Sequence, residues 1–307
     1  MSKQRTIKRK MKKDKYTGVD YDVLQKKIDE EELTISEIEK LVDVTTNSVY
    51  ETKTITSGPI REVKIYPTFL KKHVPEDCRI KASKEAIKIL NHKNAQDYFV
   101  RKANANFGKG DYYATLTYLV KNRPKTAEEA KKHIRQYIRR LNKIYHKWQK
   151  EQLPPKKRNK KIKYKNIKYM FVTEVPEKND GNWHHHILIN SVLPMDVIEE
   201  EWKYGRWNNI RKIYPDEEHI TKLAKYLSKD PKGKKRWGCS KGLKEPVITR
   251  SLSKFSRKKI NEMALNYNQI EEEMERKNPG YKFIDARVNK NKFNGKWYIS
   301  GRLIKID

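Results

Sequence analysis

His184 and His186 stand two residues apart in the stretch NWHHHILIN, and strand alternation puts both imidazoles on one face. Trp183, His185, Ile187 and Ile189 take the opposite, mostly apolar face. Two neighbouring imidazoles suit a single metal ion. Glu174, in IKYMFVTEV, reaches the same place if the two strands form a hairpin through Pro176–Asn182. Two imidazoles and a carboxylate, with coordination positions left open, fit Mg²⁺ or Mn²⁺ that must also hold a substrate phosphate. Zinc would accept the same ligands, so the sequence does not choose the metal. Three consecutive histidines also occur as a solvated strand end, a reading that the upstream acid weakens. Histidines one helical turn apart around a glutamate, as in zinc proteases, do not occur.

A second constellation follows in DEEHITKLAKYLSK, residues 216–229, which reads as a helix. Ile220, Leu223, Ala224 and Leu227 form its core stripe, and Lys222, Tyr226 and Lys229 share another face. A free phenol has a pKa of about 10 and is a poor nucleophile near neutrality. A nearby ammonium favours the phenolate, and a metal on the phosphate oxygens polarises phosphorus. The chain has 18 tyrosines, so a Tyr–Lys pair alone says little. Its weight comes from following the histidine pair.

These residues need elements to hold them. DYYATLTYLV reads as a strand with Thr115 and Thr117 on one face. Pro124 and Thr126 open a long helix, with acids in its first turn and bases later. The two strands bearing Glu174 and the histidines come next, then a helix from Pro194, a short strand IRKIY and the tyrosine helix. A last helix is expected from about Ser256 to Lys277, followed by a hairpin across Asn294-Gly295. The order implies an α+β fold, a central antiparallel sheet with helices on one side. Five parts are expected: a basic arm (1–18), a helical segment (19–57), a linking α/β segment (58–106), the site-bearing domain (107–255), and a C-terminal helix and hairpin (256–307).

Lys plus Arg outnumber Asp plus Glu by 71 to 39, giving a formal charge of +32. That excess points to a polyanionic partner, with nucleic acid favoured over a membrane surface. No apolar run approaches the ~20 residues of a membrane span. The basic N-terminus has no apolar stretch behind it and is not a secretory signal. Two cysteines, Cys78 and Cys239, imply neither a disulfide framework nor a four-thiolate zinc site, and a cytoplasmic protein is expected.

Three stretches together resemble the rolling-circle replication initiators of the HUH endonuclease superfamily, found in plasmids and small phages. The Thr-Leu-Thr strand is matched by Ala114–Tyr118, the His-x-His motif with its upstream acid by Glu174 and WHHHILIN, and Tyr-x-x-Lys by Tyr226–Lys229. RWGCSKGLKEP, 236–246, looks like the segment that follows in the plasmid proteins. The resemblance covers roughly 107–255 and implies a ferredoxin-like sheet. It also implies that Tyr226 attacks the origin phosphate, leaving a 5′-phosphotyrosine and a free 3′-OH primer. His184, His186 and Glu174 would hold the metal, and Lys229 would assist at the phosphate. Two positions depart from the pattern. His185 stands where a bulky apolar residue is usual, and Lys222 stands where some phage relatives carry a second tyrosine. A single-tyrosine enzyme would need another nucleophile or subunit to end a round.

LTISEIEKLVDVTTNSVYETKTI reads either as a helix-turn-helix presenting Thr45, Thr46, Asn47 and Tyr50 to the major groove, or as two amphipathic helices with no DNA role. Thr115, Thr117 and Lys222 are further candidate DNA contacts. Arg61, Arg101, Lys102 and the lysines of 156–161 read as solvated charge able to meet phosphates. Single-stranded or extruded origin DNA is the expected substrate. No glycine-rich nucleotide loop is visible, so a host helicase and DNA polymerase are expected partners. The rivals are a conjugative relaxase, a single-tyrosine transposase, and a non-catalytic DNA-binding regulator.

Overall fold

The computed structural model describes residues 16–19, 30, 32–34, 49–68, 79–81, 84–158, 162–174, 183–205, 209–228, 237–290 and 296–306. The fold is α+β, built on antiparallel sheets, as the sequence implies. Strands β1 (Tyr16–Val19) and β4 (Arg79–Lys81) pair as a two-stranded ribbon. Two five-stranded sheets carry the rest.

The site sheet runs β8 (Asn209–Lys212), β5 (Tyr112–Leu116), β7 (His184–Ile189), β6 (Tyr169–Glu174), β9 (Trp237–Cys239). Strand alternation divides its side chains between two cores. On one face Tyr112, Ala114, Leu116, Phe171, Ile187 and Ile189 meet helix α2 (Ala127–Glu151) through Ile134, Tyr137, Ile138 and Leu141. That helix starts where the sequence places it: the Thr126 hydroxyl accepts from the Glu129 N–H at 3.2 Å. The Glu129 carboxylate in turn accepts from the Lys125 N–H at 2.7 Å, closing a reciprocal cap. Two short helices follow, α3 (Pro155–Arg158) and α4 (Met195–Glu200), and Ile198 of α4 and Trp202 complete this core.

On the other face Met170, Val172 and Leu188 pack against α1 (Lys84–Asn104) and α5 (Thr221–Leu227). Helices therefore cover both faces of this sheet, where the sequence reading expected one. The cause is that β6 and β7 are apolar at successive positions, and α1 supplies an apolar stripe of its own (Phe99, Val100, Ala103). Each such side chain, fully buried, contributes about 1.5–3 kcal/mol, so the strands bearing the histidines are held from both sides.

The second sheet runs β10 (Val247–Ser251), β2 (Val49–Ser57), β3 (Ile60–Thr68), β12 (Trp297–Lys305), β11 (Tyr281–Lys290). One of its faces, with Val63, Ile65, Ile299 and Leu303, packs on α6 (Arg257–Leu265) and α7 (Tyr267–Arg276). In the β2–β3 turn Gly58 has φ +61°, and a Cβ there would fall 2.2 Å from the Asn104 carbonyl oxygen.

Two expectations are corrected here. The helical reading of 20–52 fails at its end, because the β-branched run VYETKTITS is strand β2. The single C-terminal helix is two, since Asn266 leaves the helical region and its side chain accepts from the Asn268 N–H at 3.1 Å to restart the chain. The terminal hairpin pairs as expected, Tyr281 opposite Lys305, while its turn lies outside the described residues. Among the described residues no helix is long and apolar enough to cross a membrane.

Candidate metal centre and tyrosine

β6 and β7 pair so that Glu174 lies opposite His184, and Val172 opposite His186. That register puts the glutamate and both histidines on one sheet face. His184 Nε2 lies 2.8 Å and His186 Nε2 3.2 Å from the same oxygen, Glu174 Oε2. Their ligand atoms all fall within 4.8 Å of one another, a spacing that suits one ion. The donor set fits as well. His186 is buried, and burial, then the neighbouring His184, holds it below the ordinary histidine range against the pull of Glu174. A neutral imidazole is the form that binds metal. Two nitrogens and an oxygen do not identify the ion.

The tautomer of His186 is set from behind. Its Nδ1 lies 3.1 Å from the Tyr113 hydroxyl and 3.2 Å from Thr115 Oγ1, which themselves are 2.8 Å apart. An Nδ1–H directed at these oxygens leaves the Nε2 lone pair facing Glu174, the usual arrangement behind a metal-binding histidine. Burial holds the Tyr113 phenol above its ordinary range, so it remains a protonated partner. Thr115, expected as a DNA contact, thus braces the histidine. Tyr113 was not singled out from the sequence, although its place two residues before Thr115 was the signal that could have found it.

His185 points the other way. It is fully buried beside Trp202, and burial lowers its pKa to about 3. Both nitrogens are satisfied, Nε2 by the Tyr118 hydroxyl at 2.7 Å and Nδ1 by Thr173 Oγ1 at 2.9 Å. The middle histidine is a neutral core residue that takes the place of an apolar one by finding two partners.

Tyr226 comes to the metal cluster from α5, with its ring centroid 5.8 Å from that of His186 and its side chain exposed. The helix is shorter than expected, because residues 216–219 form a turn in which Asp216 and His219 exchange backbone hydrogen bonds. His219 has φ 57°, and its Nε2–H donates to the Phe107 carbonyl at 2.8 Å. From that turn Ile220, Ala224 and Leu227 enter the core, as their spacing predicts. The Asn104 amide donates to Thr221 Oγ1 at 2.9 Å, tying α5 to α1.

The remaining candidates are dispersed. Lys222 is exposed and 3.1 Å from Asp216, with Glu217 and Glu218 each at 3.7 Å. Thr117 follows β5, and its carbonyl accepts from Trp202 Nε1 at 2.6 Å. Tyr50 is buried in β2, its hydroxyl accepting from the Trp297 N–H at 3.1 Å, and so presents no groove-reading side chain. Thr45, Thr46, Asn47 and Lys229 lie outside the described residues. Arg61, Arg101 and Lys102 are structural instead of solvated. Arg61 lies over the Tyr281 ring at 3.7 Å, Arg101 grips Glu62 at 2.6 and 2.7 Å, and Lys102 reaches Glu245 at 2.6 Å. Glu245 belongs to the 236–246 segment, whose first part forms β9. Gly238 is needed there because a Cβ would meet the Phe171 ring at 2.7 Å.

Fold and site together define an α+β protein with a Glu-His-His cluster on an antiparallel sheet and a tyrosine carried past it on a helix. Residues 111–231 match the family model for the replication-associated protein ORF2, which supports a rolling-circle replication initiator. The HUH endonuclease superfamily is consistent with that family. No curated protein and no solved structure matches the chain.

Proposed function

We propose that this protein nicks one strand of origin DNA by transesterification, with Tyr226 as the nucleophile. The observation that carries the proposal is the approach of Tyr226 to His186, on the face where Glu174 and His184 converge. In the reaction the phenolic oxygen of Tyr226 forms a bond to phosphorus and the bond from phosphorus to the 3′ oxygen breaks. The phenolic proton leaves and the released 3′ oxygen ends as a hydroxyl. One phosphodiester is exchanged for another, so no outside energy source is needed.

Glu174, His184 and His186 are the residues that would hold a divalent ion, Mg²⁺ or Mn²⁺. Such an ion supplies charge at the non-bridging oxygens. Tyr113 and Thr115 keep the His186 ring turned so that Nε2 faces the cluster. Lys229 carries its role at the phosphate by the motif alone. The replication-family match and the large positive charge support DNA as the substrate. The free 3′-OH would serve a host polymerase, with a host helicase opening the duplex.

The test uses end-labelled single strands that tile the DNA beside the gene, incubated with the protein and Mn²⁺ and run on a denaturing gel. A covalent adduct on the fragment carrying the new 5′ end, absent with chelator, is expected. Binding to every strand without an adduct would move the account to a non-catalytic DNA-binding regulator.

A further inference from the structure

Between the second sheet and helices α1 and α5 lies a cleft of about 540 Å³ that the metal cluster does not line. Its floor is the sheet face opposite α6 and α7, with Lys64, Tyr66, Arg287, Asn289, Tyr298 and Ser300; Lys93 of α1 and Lys225 of α5 stand on its wall. Lys53 lies directly across from Lys64 on β2 and extends the basic strip. The carboxylates around it already answer arginines: Glu51 with Arg250, Glu62 and Asp97 with Arg101, and Glu218 and Asp285 with Arg302. Glu62 also touches Lys64, at 3.6 Å. Counting these groups with the basic strip gives eight cations against five carboxylates. Burial, then the charges of Arg250, Arg101 and Lys64, holds the Lys53 ammonium below the ordinary lysine range. Cations crowded in this way gain most from an incoming polyanion.

We propose that this cleft binds the sugar–phosphate backbone of single-stranded DNA beside the tyrosine, through Lys53, Lys64, Lys93, Lys225 and Arg287. The inference rests on the nickase reading for its partner and goes beyond it in place, since most of the cleft is built from residues outside the family match. Charge decides for a polyanion, and size decides for one strand. The volume lies in the range of about 300–1,000 Å³ typical of small-ligand sites, which admits a strand threaded between sheet and helices and not a duplex. Tyr66 and Tyr298 add aromatic surface, and a sequence-tolerant single-strand path combines such rings with basic side chains. Lys225 directly precedes Tyr226, so a strand leaving this cleft runs along the helix that carries the nucleophile.

The test compares the wild type with the triple variant Lys64→Gln/Lys93→Gln/Arg287→Gln, its fold checked by circular dichroism. Affinities for oligothymidylates of roughly 6 and roughly 30 nucleotides are measured by fluorescence anisotropy over a salt series. The variant is expected to lose about tenfold or more in affinity for the long strand, and its log–log salt slope to become shallower by about 2. Affinity for a duplex of the same length should change much less. Unchanged long-strand affinity and salt slope in a folded variant overturn the proposal, and so does an equal loss on duplex. The two readings fail separately: if the wild type binds long strands through these residues but never forms an adduct, only the nickase falls. If adducts form while the triple variant binds like wild type, only the cleft falls.

Discussion

The Tyr226 ring stands edge-on to His186, the planes inclined by 64° and the centroids 5.8 Å apart. This places the one side chain suited to attack phosphorus beside the residues suited to hold a cation. Removing a ligand should therefore stop the chemistry and leave DNA binding. His186→Ala is expected to lower cleavage by at least about a hundredfold and to abolish tight Mn²⁺ binding by calorimetry. Mn²⁺ affinity equal to wild type would show that the cluster is not the metal site.

Tyr113 and Thr115 touch His186 from behind and are outside the ligand set, so their effect should appear in metal affinity before it appears in fold. The double variant Tyr113→Phe/Thr115→Val is expected to weaken Mn²⁺ binding by about 10–100-fold with little change in Tm. Saturating Mn²⁺ should restore most of the cleavage rate. An unchanged Mn²⁺ affinity would mean that these contacts do not orient the ring.

His185 tests the opposite face. His185→Leu leaves the Tyr118 hydroxyl and Thr173 Oγ1 buried without their partner, at a cost of about 1–3 kcal/mol. Adding Tyr118→Phe should recover part of that loss. Urea unfolding of the single and double variants measures both effects, and a stability equal to wild type in the single variant would contradict the packing described.

The second sheet is fastened to α1 by the bidentate Arg101–Glu62 pair. Burial alone would raise the Glu62 pKa, but the hydrogen bonds and charge of Arg101 outweigh it and the carboxyl is held below its ordinary value. A depressed folded pKa gives stability that is fully present above the unfolded value, about 4.3, and is lost as pH falls through the folded one. Glu62→Gln should cost about 1–3 kcal/mol at pH 7 and flatten the fall of Tm with acid. A parallel fall of Tm in variant and wild type would remove Glu62 as a cause.

How much of this was legible in the sequence follows from the range of each interaction. Period-two spacing of His184 and His186, and the apolar stripe at Ile220, Ala224 and Leu227, are local signals, and they placed the cluster and the tyrosine helix correctly. The Thr126 cap is equally local. The second sheet was not legible, because it joins β2 and β3 to β10, β11 and β12, strands from distant parts of the chain that no local pattern links. The same holds for Arg101 and Lys102, whose basic side chains look solvated until Glu62 and Glu245 are brought to them. Residues 216–218 look helical by composition, and only the contact of His219 with the Phe107 carbonyl explains the turn found there.

The most direct measurement digests the covalent protein–DNA product and maps the nucleotide-bearing peptide by mass spectrometry. The account predicts the added mass on Tyr226, with no adduct from Tyr226→Phe under the same conditions. An adduct on another residue, or one that persists in Tyr226→Phe, would contradict it.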